Sequence, residues 1–281
     1  MAAYRCALVA VIFVACSTRL RSSSPADIVR LVASAALAVL GLLSAPPTFA
    51  QSAVDLDLVI AADVSVSMDA EEKLLQQRGF ADAFRDRDIV DAIASGPLGR
   101  IAVTYFEWGG ASQQRLVITR SIIHDAGSAE AFAARLEANR PARLRRGTSI
   151  SAALDYSVAL FGASDVTAAR RVINISSDGM NNKGPDLPSA RQRALAAGIE
   201  INGLPIVYKN PLHGVIDSVG LDDEAAFTAT DLITYFEREV IGGPGAFLEP
   251  VFSPTDYRDA TLRKLRREII GPQQAAAELT R

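Results

Sequence analysis

Asp55-Leu56-Asp57-Leu58 alternates polar with apolar residues, and the chain then runs apolar through Val59-Ile60-Ala61-Ala62, the pattern of a central parallel strand covered on both faces. Leu74, Phe80, Phe84, Ile89 and Ile93 recur at roughly helical spacing and predict one helix over Glu71 to Ala94, stopped by Gly96-Pro97-Leu98-Gly99. Arg100 to Trp108 alternates again. A Gly109-Gly110 turn then leads to a second alternating run, Arg115 to Ile123, so the pair reads as a hairpin whose second strand lies antiparallel at a sheet edge.

Ser128 to Asn139 reads as a short helix with Ser128 as its cap, and Thr148 or Ser149 opens another that runs to about Phe161. Arg170 to Ser176 is a strand, Leu187 to Ala197 a helix ended by Gly198, and Glu200 to Val207 a strand. Phe247 to Phe252 as a strand and Thr255 to Ile270 as a helix close the domain, with a fraying tail at 271–281. Strands and helices alternate throughout, which predicts an α/β fold: a doubly wound, mostly parallel sheet with one antiparallel edge strand and helices on both faces.

Composition changes the picture mainly at the amino end. Residues 1–50 hold two apolar runs, Cys6 to Cys16 and Leu31 to Leu43, each shorter than the ~20 residues a membrane-spanning helix needs. The second follows Arg30 and leads to Thr48-Phe49-Ala50, small residues suited to a signal peptidase, so cleavage after Ala50 and a periplasmic or secreted mature chain without a membrane span are expected. Translation starting near Val29 would give a compact leader by itself. Both cysteines fall in the leader, which excludes disulfide and thiolate chemistry from the expected domain, 51–270. Without the leader the formal charge moves from −3 to about −6, and nucleic acid is not an expected partner.

Three turns carry the candidate chemistry. Asp63-Val64-Ser65-Val66-Ser67 follows the first strand, Gly147-Thr148 precedes a helix, and Ser177-Asp178-Gly179 follows the strand from Arg170. If those strands are parallel neighbours, their carboxyl ends open on one sheet edge, where loops can converge on a ligand. Asp63 and Asp178 offer carboxylates, and Ser65, Ser67 and Thr148 offer hydroxyls. Such a set suits a hard divalent cation that keeps some of its water, with Mg²⁺ favoured and Mn²⁺ or Ca²⁺ acceptable.

Asp63-x-Ser65-x-Ser67, then Thr148, then Asp178, in this order and at the ends of these elements, resembles the metal ion-dependent adhesion site of von Willebrand factor type A domains. The likeness extends through Gly147 to Leu154 and Val172 to Gly179 and covers about Val54 to Ile270. More narrowly, the chain is similar to uncharacterised secreted bacterial members classed as a domain of unknown function. The resemblance implies a dinucleotide-binding-like fold, a metal held by those five residues, and a protein ligand whose exposed Asp or Glu fills the open position. It implies no enzyme. Two departures stand out: Val66 occupies a position where glycine is usual, and Arg145 and Arg146 precede Gly147 where small residues are common.

Other readings of the same residues point elsewhere. Asp55 and Asp57 precede the apolar run instead of following it, so they are expected at a solvated edge and not as phosphatase nucleophiles. His124 and His213 lie in no metal-ligand spacing, and Ser177 sits in no Gly-x-Ser-x-Gly elbow. Arg140, Arg143, Arg145 and Arg146 form a basic run ahead of Thr148, either a solvated loop or an attractor for an acidic partner. Trp108 is either an exposed interface anchor or folded onto its own domain. A metal-dependent hydrolase using this site would lack a general base, and a metal-independent periplasmic small-molecule binder would usually need a second lobe.

Overall fold

The computed structural model describes residues 52–144, 147–208 and 229–278, with side chains to Gly271. Five strands form one sheet: β1 (Ser52–Asp63), β2 (Ile101–Trp108), β3 (Gln114–Ile123), β4 (Val166–Ser177) and β5 (Glu200–Pro205), in the order β3-β2-β1-β4-β5. β1 is central and pairs in parallel with β2 and β4; β5 runs parallel to β4, and β3 is the antiparallel edge. Asp63 lies opposite Trp108 at the carboxyl end of this register.

β1 is buried on both faces, as its unbroken apolar run requires. Leu56, Leu58, Ile60 and Ala62 face one core, filled by Phe80 and Phe84 of α1 (Ala70–Arg85), Ile89 and Ile93 of α2 (Arg87–Ala94), Phe132 and Leu136 of α3 (Ala126–Glu137), and Tyr257 and Leu265 of α7 (Tyr257–Glu278). Val59 and Ala61 face the other, against Ile150 and Leu154 of α4 (Ile150–Gly162), Leu187 and Ala190 of α5 (Leu187–Ala196), and Leu232 of α6 (Ala229–Tyr235). The sheet is therefore doubly wound.

Several boundaries differ from the sequence reading, each for a local reason. The helix expected over Glu71 to Ala94 breaks at Asp86, whose backbone is extended (φ −67°, ψ 135°) and whose carboxylate accepts from Asp88 N at 3.0 Å to start α2. α3 is capped by Asp125, with Ser128 as its reciprocal partner three residues inside the helix and not the cap itself. Phe247 to Phe252 makes only isolated bridges, Gly203 with Leu248 and Ile206 with Val251, because Pro205 of β5, which faces Glu249 between them, has no N–H to donate. The sequence reading passed over α6, although Leu232, Phe236 and Val240 are spaced four apart and are all buried. Asp57 is 1% exposed, not solvated, and pairs with Arg120 Nε at 3.2 Å. Among the described residues no helix is long and apolar enough to cross a membrane; Arg145, Arg146, His213 and 1–50 lie outside them.

Candidate metal centre

β1 delivers Asp63 to the carboxyl edge fully buried, and the backbone turns at once around its carboxylate. Oδ1 accepts from Ser65 N at 2.7 Å and Oδ2 from the Ser177 hydroxyl at 2.7 Å. Ser65 and Ser67 hydroxyls lie 3.0 Å apart, and Ser67 donates to Asp178 Oδ1 at 2.7 Å. A continuous hydrogen-bonded run, through the Ser65 N–H and then the serine hydroxyls, thus leads from the end of β1 to the turn after β4. The register makes it possible: β1 and β4 are adjacent and parallel, so both carboxylates emerge on one edge.

A buried frame holds this edge. Gln76 of α1 donates to Asp63 O at 2.9 Å and accepts from Ser176, whose hydroxyl oxygen in turn accepts from Asp63 N at 3.1 Å. The role of Gln76 had no signal in the sequence beyond its place on the first helix. Asp69 and Glu72 form a reciprocal capping box that fixes where α1 leaves the Ser67 turn.

Thr148 comes to the same edge through its backbone neighbours, 7% exposed. Ser149 N donates to Gly109 O at 2.8 Å, and a Cβ on Gly109 would stand 3.7 Å from Ser65 Cα, so the hairpin turn is the link between the two segments. Thr148 N donates to Asn182 Oδ1 at 2.9 Å, and Asn182 N returns a bond to Thr148 O at 2.9 Å, which ties the threonine to the segment after Asp178. Gly147 has φ +121°, a conformation other residues rarely adopt. Of the five candidate ligands, four are joined by hydrogen bonds and the fifth is anchored beside them.

Electrostatics makes the edge costly when no cation is bound. Burial, and then the charge of Asp178, push the Asp63 carboxyl up to about 7, against the opposing bonds from Ser177 and Ser65. Two carboxylates thus face each other across serine hydroxyls, and a cation between them would relieve both penalties. Among the described residues no three His, Cys, Asp or Glu side chains gather as a metal cluster, so a cation here would depend on hydroxyls and water. That suits a hard, oxygen-seeking ion and not a zinc site of the usual His and Cys type.

Val66 does not strain the loop: among the described residues no non-glycine residue has positive φ, and Val66 stands 51% exposed between the two serines. Trp108 is fully buried, which removes it as an exposed anchor. His124 lies on the surface near Asp125, away from this edge.

A family model described as a protein of unknown function (DUF1194) matches residues 53–273. No curated protein matches the chain. Among solved structures, the chain is similar to the pilus adhesin SpaC from Lactobacillus rhamnosus GG (14% identity, 77% of this chain and 31% of that one, TM-score 0.54). It is also similar to proximal thread matrix protein 1 from the mussel byssus with a zinc-occupied MIDAS motif (14% identity, 78% and 49%, TM-score 0.53). A third is a von Willebrand factor type A protein from Catenulispora acidiphila (13% identity, 77% and 43%, TM-score 0.50). The chain spans less than half of each of these relatives. At such identities they show the fold, which is that of von Willebrand factor type A domains.

Proposed function

We propose that this chain, which belongs to the DUF1194 family, is a secreted or periplasmic binding module that holds a divalent cation through Asp63, Ser65, Ser67, Thr148 and Asp178. The cation, Mg²⁺ by preference, offers its open position to an exposed Asp or Glu of a protein partner. The observation that carries the reading is the hydrogen-bonded run from Asp63 through Ser65 and Ser67 to Asp178, two buried carboxylates held facing each other on one sheet edge. A cation supplies the Lewis-acidic position there; the chain's residues orient it, exclude bulk water and set how many sites remain for a ligand. The zinc-occupied site in the mussel protein supports a divalent ion in this fold. An enzyme is a weaker reading, since both carboxylates are committed to the cation and His124 lies on the surface away from this edge.

The test is thermal. After chelation, adding Mg²⁺, Mn²⁺ or Ca²⁺ at about one hundred times its Kd should stabilise the domain by ~2.7 kcal/mol. The shift should vanish in Thr148→Ala and Asp63→Ala. A melt that ignores all three cations sinks the proposal, and metal-dependent turnover of phosphate or ester substrates would favour a hydrolase.

A further inference from the structure

The rim on the Thr148 side of the edge is cationic. Arg140, Arg143 and Lys183 are exposed, and no carboxylate among the described residues pairs with any of them. Several other surface cations are answered, Arg85 by Glu130 and Glu137, Arg193 by Asp155 and Arg263 by Glu249, so three unpaired cations gathered beside one centre stand out by their clustering. The three unanswered charges also sit on segments that pack at the candidate centre. Lys183 N donates to Thr148 O at 3.2 Å, and its stem lies against Gly147, where a Cβ would meet Lys183 Cγ at 3.0 Å. Leu144, next to Arg143, packs at 3.1 Å from the Cβ position of Gly109, the glycine that borders Ser65. Arg140 O accepts from Arg115 Nη2 at 3.0 Å, and Ala142 N donates to the buried Glu107 at 2.9 Å, so this loop is strapped to the end of β2.

The opposite rim is acidic, with Asp69 and Glu71 exposed at the start of α1. In a chain of net charge −3, an unneutralised cationic rim on one side of the centre is a local inversion that orients an incoming anion. Building on the metal reading above, we infer that the partner is a carboxylate-rich stretch of polypeptide. One carboxylate closes the cation's coordination, and others on the same segment lie over Arg140, Arg143 and Lys183. A carboxylate-rich chain fits better than a nucleic acid because the cationic rim itself, residues 108–114, 140–144 and 180–184, presents no exposed aromatic side chain on which a base could stack, Trp108 being buried.

The probe is fluorescently labelled oligo-glutamate, compared with oligo-glutamine and oligothymidylate of the same length, with Mg²⁺ in excess over peptide. Native protein should bind oligo-glutamate only with Mg²⁺ present, and more weakly as salt is raised. The variant Arg140→Glu/Arg143→Glu/Lys183→Glu should bind at least about tenfold more weakly, as expected when rim charges are reversed. Its cation-induced melt shift should equal that of native protein, which also shows that it folds; a variant with glutamine at the three positions should fall between. Unchanged oligo-glutamate affinity in the reversed variant overturns the inference and leaves the metal reading standing. Oligothymidylate binding as tight as oligo-glutamate overturns the choice of partner. A native melt blind to the cation overturns both readings.

Discussion

At the residue scale, Asp63 is a fully buried carboxylate held against the charge of Asp178. Its folded carboxyl titrates near 7 against an ordinary value of 3.8, raised first by burial and then by Asp178. The native state therefore binds a proton that the unfolded state has already lost between those values, so this group's contribution to stability is full below the lower value and is lost as pH rises toward 7. Asp63→Asn keeps an acceptor for Ser65 N and removes the charge. Without metal it should melt higher than native protein at about pH 8 and show a flatter pH profile, as scanning calorimetry would reveal; an unchanged profile would contradict the assigned burial. Val66 offers a second check. Because its φ is not positive, glycine at this position gains no relief and only loosens the unfolded chain, so Val66→Gly should lower stability by about 0.4–1 kcal/mol in denaturant titration. The candidate ligands were legible in the sequence because each sits where a strand ends or a helix begins. Gln76 and Gly109 were not, since their importance arises only when distant segments meet.

At the scale of elements, hydrophobic periodicity located the five strands and most helices, and errors fell where a polar cap or a proline redefined an end. Asp86 splits the first predicted helix because its carboxylate satisfies a new helix start, and Pro205 of β5 interrupts the ladder to a sixth strand. α6 was lost for a different reason: its buried stripe is short, Leu232 followed by Phe236 and Val240 in the turn that continues it. The sequence also hid how α7 binds the sheet. Its Lys264 and Glu268 are both fully buried and hydrogen-bonded to each other, and Glu268 accepts from Asn174 of β4 at 2.9 Å and from Asn202 of β5 at 3.3 Å. Burial pushes the Lys264 ammonium below its usual range, with Glu268 opposing. Removing one partner strands the other in a dry environment. Lys264→Met should therefore cost about 3–5 kcal/mol, while Lys264→Met combined with Glu268→Gln, which removes the charge and keeps an acceptor for Asn174 and Asn202, should recover much of that loss in urea unfolding.

At the scale of the molecule, one sheet edge gathers every candidate ligand, so cation binding should be read by the stability of the whole domain and by its dependence on pH. A proton and a cation compete for Asp63. With its carboxyl near 7, apparent cation affinity should fall about tenfold between about pH 8 and pH 6, since roughly nine in ten sites then hold the proton. For a domain of this size each kcal/mol moves the melting temperature by about 2–4 °C. The ~2.7 kcal/mol expected at a hundredfold excess over Kd thus appears as roughly 5–10 °C at the higher pH. At the same cation concentration near pH 6, the tenfold loss of affinity should halve that shift, because each factor of ten in binding is worth about 1.4 kcal/mol. Cooperation and competition then act in opposite directions on one protein: chelated samples gain stability on acidification, cation-loaded samples lose their cation-dependent part of it. Paired melts across pH, with and without chelator, should converge as pH falls, and curves that stay parallel would show that the cation does not sit on Asp63.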